Sequence, residues 1–182
     1  MEEKIAQTLV ELLERFPYNE ISVRILCESV PVSRQTFYHY FHSKDDVIQT
    51  YITQDFLKNA VPLFRYHLKE KGATAFFLYI ADHYSFYYRI YEYDNGKFLE
   101  ICLKNAYADI VKLSNSFSRN VEAKPDKIDP QVYSRYSCSG IAAVVVYWIQ
   151  KEMNIPVEKI ARDLYLMMEM PLGEVRDYYL DK

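Results

Sequence analysis

Glycine, proline and cysteine are scarce in this chain of 182 residues, which contains four, seven and three of them, respectively. So few glycines and prolines argue against the turn-rich sequence of an all-β protein. Apolar residues instead recur at helical spacing almost throughout the chain. The sequence therefore predicts an all-α fold, and its 50% of hydrophobic residues can supply a sizeable core.

The three cysteines, Cys27, Cys102 and Cys138, are odd in number and far apart. Each lies within an apolar helical pattern, which favours reduced thiols in the core over disulfides or a zinc site. The chain also lacks an uninterrupted apolar stretch of about 18 residues. We therefore predict no signal peptide and no membrane span, and we expect a cytoplasmic protein.

The chain has no excess of positive charge, because its formal net charge is −3. Nucleic-acid-binding proteins usually present a basic surface, so this total counts against such a partner. The local balance differs: residues 22–44 contain Arg24, Arg34 and Lys44 against Glu28 alone, three bases minus one acid, or +2. A nucleic-acid interface in this segment would make few phosphate contacts and depend weakly on salt.

The first 42 residues are predicted to form three short helices. The first has an apolar stripe of Ile5, Ala6, Leu9, Leu12, Leu13 and Phe16. Pro17 ends that helix, and Ser22 and Ser33 are placed to cap the second and third. Residues 43–46, SKDD, resemble a capping box that opens a fourth helix.

The third helix, residues 33–41 with the sequence SRQTFYHYF, has two different faces. At about 100° per residue, Phe37 and Phe41 share the core face, whereas Gln35 and His39 point away from it. The outward face carries hydrogen-bonding side chains and no acid. With a short helix and a turn before it, this is the arrangement of a helix-turn-helix, whose second helix reads base edges in the major groove.

Two alternatives compete with that interpretation. A helix that only faces solvent explains the polar face without any partner. A metal site at His39 and His42 is disfavoured, because the two imidazoles point in different directions and no third ligand is near in sequence. The sequence contains no phosphate loop, nucleophile elbow or HExxH motif, so we predict neither an enzyme, a metal site nor a cofactor.

The run from Ile21 to Ile48, ISVRILCESVPVSRQTFYHYFHSKDDVI, resembles the DNA-binding signature of the tetracycline-repressor (TetR) family of bacterial transcription regulators. The segment TFYHYF, residues 36–41, is its most specific part. The resemblance covers about residues 5–50 and, more weakly, the rest of the chain. It implies a helix-turn-helix DNA-binding head of residues 1–46 and a helical ligand-binding and dimerisation body of residues 47–182, with about nine helices in all.

The resemblance further implies a homodimer in which each head reads one half-site of a near-palindromic operator in double-stranded DNA. Ser33, Arg34, Gln35 and Thr36 would approach bases and neighbouring phosphates, and the others would contact mainly the phosphate backbone. The implied DNA-binding residues are Ser22, Arg24, Ser33, Arg34, Gln35, Thr36, Tyr38, His39, Tyr40 and Lys44.

The turn between the second and third helices departs from the family. Glycine is frequent there, whereas this chain has Pro31, and proline opposes a positive φ. We therefore expect either a turn without a left-handed residue or a second helix that ends one residue early.

The body is unusually rich in aromatic residues. We expect an aromatic helix from Thr74 through Arg89, a turn at Asp94–Gly96, and an exposed loop over residues 118–129. Packing alone explains most single rings. The resemblance implies that some of them line a cavity for a small apolar or aromatic effector, whose binding changes the spacing of the two heads. The candidates are Phe77, Tyr84, Tyr88, Cys102, Tyr107 and Tyr136.

Two helices near the end of the chain, residues 130–153 and 156–170, resemble the family's dimer face. The segment SGIAAVVVYWI, residues 139–149, begins with small residues, which allow two helices to approach closely. A helix buried within the chain is the alternative. The dimer candidates are Gly140, Val144, Tyr147, Trp148, Ile160, Leu164, Tyr165 and Met168.

The function predicted from these features is that of a DNA-binding transcription regulator, specifically a ligand-responsive homodimeric repressor. The alternative is a helical co-activator that has the same fold but acts through a protein partner.

Overall fold

The computed structural model describes residues 1–59, 69–117 and 129–169. Within these ranges all regular structure is helical and no strand occurs, which confirms the predicted all-α fold. The nine α-helices of the described ranges are α1 (Glu2–Leu13), α2 (Val23–Ser29), α3 (Arg34–Tyr40), α4 (Lys44–Asn59), α5 (Lys69–Asp82), α6 (Tyr84–Asp94), α7 (Lys97–Phe117), α8 (Pro130–Gln150) and α9 (Val157–Glu169). A short 3₁₀ helix, Tyr18–Glu20, lies between α1 and α2.

Serine hydroxyls cap α2 and α3, as predicted. Ser22 Oγ accepts a hydrogen bond from the Ile25 amide at 3.2 Å, and Ser33 Oγ accepts one from the Thr36 amide at 3.0 Å. Each hydroxyl satisfies a backbone donor that has no partner inside its own helix. These caps fix where both short helices of the head begin.

The start of α4 differs in one bond from the predicted capping box. Ser43 Oγ accepts a hydrogen bond from the Asp46 amide at 3.1 Å, as in such a box. The Asp46 carboxylate, however, accepts from the His42 amide at 3.0 Å rather than from the amide of Ser43. The acid therefore ties the end of the preceding turn to α4.

The apolar stripe of α1 is shorter than predicted. Ile5, Leu9 and Leu13 are fully buried, whereas Phe16 is 42% exposed. Because α1 ends at Leu13, helical spacing no longer determines where Phe16 points. Its place in the stripe was wrong.

The turn between α2 and α3 contains a left-handed proline. The second helix ends at Ser29, and Pro31 has a φ of 29°. The Val32 amide donates to the Cys27 carbonyl at 3.0 Å, which is the long hydrogen bond of a Schellman motif. That motif requires a left-handed residue after the helix, so the expected turn without one was wrong. The pyrrolidine ring opposes this φ, and the turn is strained.

The fourth helix continues through the predicted boundary between head and body at residues 46 and 47. It packs against α1 of the head and against α7 of the body. Buried residues from Ile5 in the head to Leu164 in the body form one hydrophobic cluster. The division into residues 1–46 and 47–182 stays a prediction.

The aromatic segment of the body forms two helices where one was expected from Thr74 through Arg89. α5 ends at Asp82 and α6 begins at Tyr84. His83 between them has a φ of −109° and a ψ of 27°, outside the α-helical region. Its Nδ1 lies 2.9 Å from the Tyr79 carbonyl oxygen, which gives that carbonyl a side-chain partner at the helix end.

The predicted turn at Asp94–Gly96 is confirmed. Asn95 and Gly96 have φ values of 57° and 86°, and the Gly96 amide donates to the Tyr91 carbonyl at 2.9 Å. Both carboxylate oxygens of Asp94 lie within 3.1 Å of the Phe98 amide nitrogen. The turn thus ends α6 and caps α7.

The last two helices lie on different neighbours. α8 packs mainly on α7, and α9 packs on α5. The Trp148 indole of α8 lies edge-to-face on Phe77, with ring centres 5.1 Å apart. Its Nε1 donates to the Ile155 carbonyl at 2.8 Å, which holds the turn before α9.

All three cysteines are buried and none of them forms a disulfide, as predicted. In the described part of the chain no helix combines the length and hydropathy that crossing a bilayer requires. Of the predicted loop at residues 118–129, residues 118–128 lie outside the described residues.

Candidate nucleic-acid interface

The third helix separates an apolar face from a polar one, as its periodicity predicts. Phe37 is fully buried and its ring lies 5.9 Å from that of Phe41. The exposed residues of the helix are Arg34, Gln35, Tyr38, His39 and Tyr40. Tyr38 is 54% exposed and Tyr40 is 41% exposed, so both rings are accessible to a partner.

Ser33 and Thr36 share a hydrogen bond at the N-terminal end of α3. Their hydroxyl oxygens are 2.8 Å apart, and Ser33 Oγ already caps the helix. Both residues are held at the exposed end of α3, beside Arg34 and Gln35. This end therefore concentrates small hydrogen-bonding groups, a guanidinium and an amide, which are the groups that read phosphates and base edges.

The second helix presents one cation, Arg24, and pairs it with its own acid. Arg24 Nε lies 3.9 Å from the Glu28 carboxylate, and both side chains are largely exposed. An exposed pair of this kind contributes little to stability and exchanges readily for another partner. Arg24 is therefore accessible to an anion that approaches α2.

Lys44 differs from the phosphate-facing position that the resemblance implies. Its Nζ donates to the Tyr18 carbonyl at 2.6 Å and to the Ile21 carbonyl at 2.9 Å, and it lies 4.0 Å from the centre of the Tyr18 ring. Burial lowers the pKa of this ammonium. Two of its three donors serve the fold, which leaves one for any phosphate.

Tyr18 is the residue of this region that sequence reasoning missed. Its hydroxyl donates to the Asp45 carboxylate, and its ring packs on Tyr93 and Phe98 of the body, with centres 5.0 and 6.0 Å away. Burial raises the pKa of this hydroxyl. No helical pattern surrounds Tyr18, because it lies in a 3₁₀ turn, so only its position after Pro17 could have drawn attention to it.

The predicted dimer residues fall into two groups. Trp148, Ile160 and Leu164 are at most 6% exposed and belong to the core of the protomer, because α8 and α9 bury them against neighbouring helices. Their assignment to the dimer face was wrong. Gly140 and Tyr147 are exposed, and Val144 and Tyr165 are partly buried. The side chain of Met168 lies outside the described residues.

An exposed stripe on α8 was only partly predicted. It follows helical spacing and consists of Val132, Tyr136, Gly140, Ala143 and Tyr147. A methyl group placed on Gly140 would have no atom within 4 Å. The spacing of four residues between its first three members could have revealed this stripe, which we call the α8 stripe.

The effector candidates do not share one environment. Phe77 and Cys102 are fully buried, and burial raises the pKa of the Cys102 thiol to about 12. The rings of Tyr84 and Tyr88 lie 5.2 Å apart and are partly buried.

The other two effector candidates are not fully buried. Tyr107 is partly buried. Tyr136 is 67% exposed on the α8 stripe. It therefore does not line an interior cavity of the protomer, and its assignment to one was wrong.

A polar cluster in the body was missed altogether. It comprises Tyr51 and Asp55 of α4, Tyr79 of α5 and Tyr87 of α6, and we call it the Asp55 cluster. Burial raises the pKa of the Asp55 carboxyl, although the neighbouring Tyr79 hydroxyl lowers it. The spacing of four residues between Tyr51 and Asp55 could have drawn attention to this helix face.

Metal chemistry at the head finds no support in the described residues, where no group of three His, Cys, Asp or Glu side chains could hold an ion. His39 is exposed and its ring lies edge-to-face on Tyr40, with centres 5.0 Å apart.

Comparison with known proteins assigns both parts of the chain. The family described as "Bacterial regulatory proteins, tetR family" matches residues 5–50. The family described as "Transcriptional regulator C-terminal region" matches residues 69–170, more than half of the chain.

One characterised relative and two solved structures illustrate the similarity. The HTH-type dhaKLM operon transcriptional activator DhaS of Lactococcus lactis is 24% identical over 92 residues, which span 50% of this chain and 49% of that protein. A structure of a dihydroxyacetone kinase operon activator DhaS has a TM-score of 0.55 at 19% identity and covers 91% of this chain and 92% of its own.

The second structure is FadR of Thermus thermophilus, a TetR family transcriptional repressor in complex with lauroyl-CoA. It has a TM-score of 0.63 at 14% identity and covers 93% of this chain and 94% of its own. Both structures share the helical fold of this chain, and both proteins are transcription regulators rather than enzymes. The chain therefore belongs to the tetR family of bacterial regulatory proteins and is a DNA-binding transcriptional regulator.

Proposed function

We propose that this regulator is a homodimeric repressor that reads a near-palindromic operator with α3 of each protomer and responds to a small effector. The observation that carries the proposal is the composition of the exposed face of α3. It presents Gln35 and His39 with an arginine and two tyrosines around them and no acid. Such a face offers hydrogen bonds to bases and phosphates without repelling the DNA backbone.

Base readout is assigned to the N-terminal half of α3. The Gln35 amide can donate and accept at the N6 and N7 atoms of adenine, and the Arg34 guanidinium can donate twice to guanine. Ser33 and Thr36 lie beside them and reach bases or the adjoining phosphates. Because these four residues belong to one short capped helix, they approach the groove as a unit.

Backbone contact is assigned to residues around that helix. Tyr38, His39 and Tyr40 lie along its exposed side, and Ser22 and Arg24 open α2. Lys44 would add at most one hydrogen bond, because two of its donors already bind carbonyl groups. So few cations predict a weak dependence on salt.

Dimerisation is assigned to the α8 stripe. A glycine and an alanine between larger apolar residues let a partner helix approach closely. Two exposed residues of α9, Leu166 and Met167, are further apolar surface in the same part of the chain. We assign Val144 of α8 and Tyr165 of α9, which are partly buried, to the edges of the dimer surface.

The response to a small molecule is assigned to the body. The body is rich in aromatic residues, among them Phe77, Tyr84 and Tyr88, which suit an apolar or aromatic effector. The related FadR has been solved with lauroyl-CoA, which supports a bound effector in a body of this fold. Effector binding would shift the population of dimers towards a head spacing that no longer matches the operator.

A co-activator is the second candidate, because the relative from Lactococcus lactis is named an operon activator. In that case the chain would act through a protein partner and would not need the reading face of α3. Replacing Arg34 and Gln35 together would then leave regulation in the cell intact, whereas the repressor would lose it.

The test is a footprint on the DNA that flanks the gene of this protein. We expect protection of a near-palindromic site by the native chain, and loss of that protection in Gln35→Ala/His39→Ala. Gln7→Ala, which changes an exposed glutamine of α1, is the matched control and should retain it. Absence of any protected site at low salt would contradict the proposal.

A further inference from the structure

Among the described residues, the Asp55 cluster contains two buried polar atoms for which no hydrogen bond is found. The hydroxyl of Tyr87 has no partner, and the residue is only 1% exposed. Asp55 Oδ2 is buried and also lacks a partner, whereas its Oδ1 accepts from the Asn59 side-chain amide at 3.1 Å. Buried polar groups are nearly always paired in folded proteins, so two unpaired atoms in one cluster favour a site for a polar ligand.

The atoms concerned belong to the same neighbourhood. The charge of Asp55 and the Tyr51 hydroxyl both act on the Tyr87 hydroxyl, and the Tyr79 hydroxyl lies against the Asp55 carboxyl and next to Tyr87. The cluster is therefore a carboxyl surrounded by three phenols. It joins α4, α5 and α6 in the interior of the body.

Aromatic rings form the walls around this carboxyl. Tyr51 lies edge-to-face on Phe86, with ring centres 5.2 Å apart, and Phe86 contacts Tyr87 in the same manner at 5.0 Å. On the other side Tyr79 stacks on His83 at 4.2 Å. A carboxyl among aromatic side chains is an environment that suits organic cations, because aromatic rings and a carboxylate both attract positive charge.

We propose that the Asp55 cluster binds a small organic cation, namely a protonated amine attached to an apolar or aromatic group. The ammonium donates to Asp55 Oδ2 and to the Tyr87 oxygen, and the apolar part lies against the surrounding rings. This inference rests on the proposed effector response and names its chemical class. Binding to the cluster can nevertheless be measured without DNA.

Other ligand classes fit the unpaired atoms less well. A purely apolar molecule leaves both of them unsatisfied, and burying unpaired polar groups opposes binding. A carboxylate would be repelled by Asp55 when the latter is ionised. The basic side chains that lower the pKa of Asp55 are His83 and Lys58, which is exposed, and neither pairs with Oδ2. An amine supplies a positively charged donor for both unpaired atoms.

The experiment uses the full chain and three matched probes: 2-phenylethylamine, 2-phenylethanol and phenylacetate, which are cationic, neutral and anionic. Hexylamine is added so that the test does not depend on one amine. Affinity is measured by calorimetry at pH 7, and thermal unfolding is followed with each probe. We expect at least one amine to bind and to raise the unfolding temperature, and the alcohol and the acid to bind at least tenfold more weakly.

Variants locate the binding. Asp55→Asn should lower the amine affinity at least tenfold and leave the weak affinity for the alcohol unchanged. Tyr87→Phe should lower the amine affinity less, and Asp82→Asn, an exposed aspartate of α5, should not change it. Failure of both amines to bind, equal binding of the three matched probes, or full amine affinity in Asp55→Asn would overturn the proposal.

The outcome is separable from the proposed DNA function. Amine binding without a footprint would contradict operator reading and leave the cation site standing. A footprint with no amine binding would do the reverse.

Discussion

The head and the body place their tyrosines differently. In α3 of the head, Tyr38 and Tyr40 are about half exposed, beside a fully buried Phe37. In α6 of the body, Tyr87 is buried with its hydroxyl unpaired. The head therefore keeps its hydrogen-bonding groups where a large external partner can reach them. The body keeps some of them in its interior, out of reach of a large external partner.

The largest expected effect tests whether α3 has one buried face, which carries Phe37, and one exposed face, which carries Tyr38. Phe37→Ala should lower the free energy of unfolding by about 3–5 kcal/mol, because it removes a fully buried ring. Tyr38→Ala, at the next position, should cost about 1 kcal/mol or less, since it loses only a ring contact at the surface. Urea unfolding of both variants measures the difference, and equal losses would contradict the division.

The next effect concerns the turn before α7 in the body. Gly96→Ala should destabilise the protein by about 1–3 kcal/mol, because a side chain is strained at a φ of 86°. The new methyl carbon would also lie 2.7 Å from Val146 Cγ1 and 2.8 Å from Tyr91 Cδ2.

Thermal or urea unfolding measures that loss. Gly140→Ala is the control, because Gly140 is a helical residue whose new methyl group would have no atom within 4 Å. In the monomer this substitution should raise the free energy of unfolding by about 0.5–1 kcal/mol. The comparison is made at a protein concentration at which ultracentrifugation detects only monomer. If both variants lost stability, the positive φ and the close contacts at Gly96 would not be the cause of the loss.

A smaller effect is expected at the cap of the reading helix. Ser33→Ala removes the acceptor of the Thr36 amide and should cost about 1 kcal/mol. Ser85→Ala, which changes an exposed serine inside α6, should cost less. Chemical unfolding of the two variants shows whether the head depends on its caps, and an equal or greater cost at Ser85 would show that it does not.

The last prediction is a pH dependence in the body. Burial raises the pKa of Asp55 in the folded protein, whereas the unfolded chain ionises near its usual value of about 3.9. Between these two values the folded state holds more protons, so the free energy of unfolding falls as the pH rises through this window.

Asp55→Asn should lose that dependence. The measurement is urea unfolding of native and variant protein at several pH values from 4 to 7. Asp82→Asn, whose carboxylate is exposed, should follow the native curve. A native chain whose stability does not fall relative to Asp55→Asn would contradict the burial of this carboxyl.

Local features were predictable from the sequence, and long-range ones were not. The caps at Ser22 and Ser33 and the buried face of α3 follow from spacing within a few residues. Lys44 could not be placed in this way, because its carbonyl partners Tyr18 and Ile21 lie 26 and 23 residues earlier.

Apolar periodicity has a similar limit. It identifies a face that will be buried, and it does not identify the neighbour that buries it. Trp148, Ile160 and Leu164 were therefore assigned to a partner chain although their own protomer covers them. The left-handed turn at Pro31 escaped prediction because the proline ring disfavours a positive φ.

The fourth helix is one continuous element that the head and the body share. It is a rod of 16 residues, about 24 Å long at the usual rise per residue, with Lys44 near one end and Asp55 towards the other. Near its middle the Gln49 amide donates to the Cys102 carbonyl at 3.2 Å and accepts from the Asn105 amide at 3.0 Å. These two bonds join α4 to α7 between the Lys44 and Asp55 ends of the helix, so one continuous helix connects the head to the interior of the body.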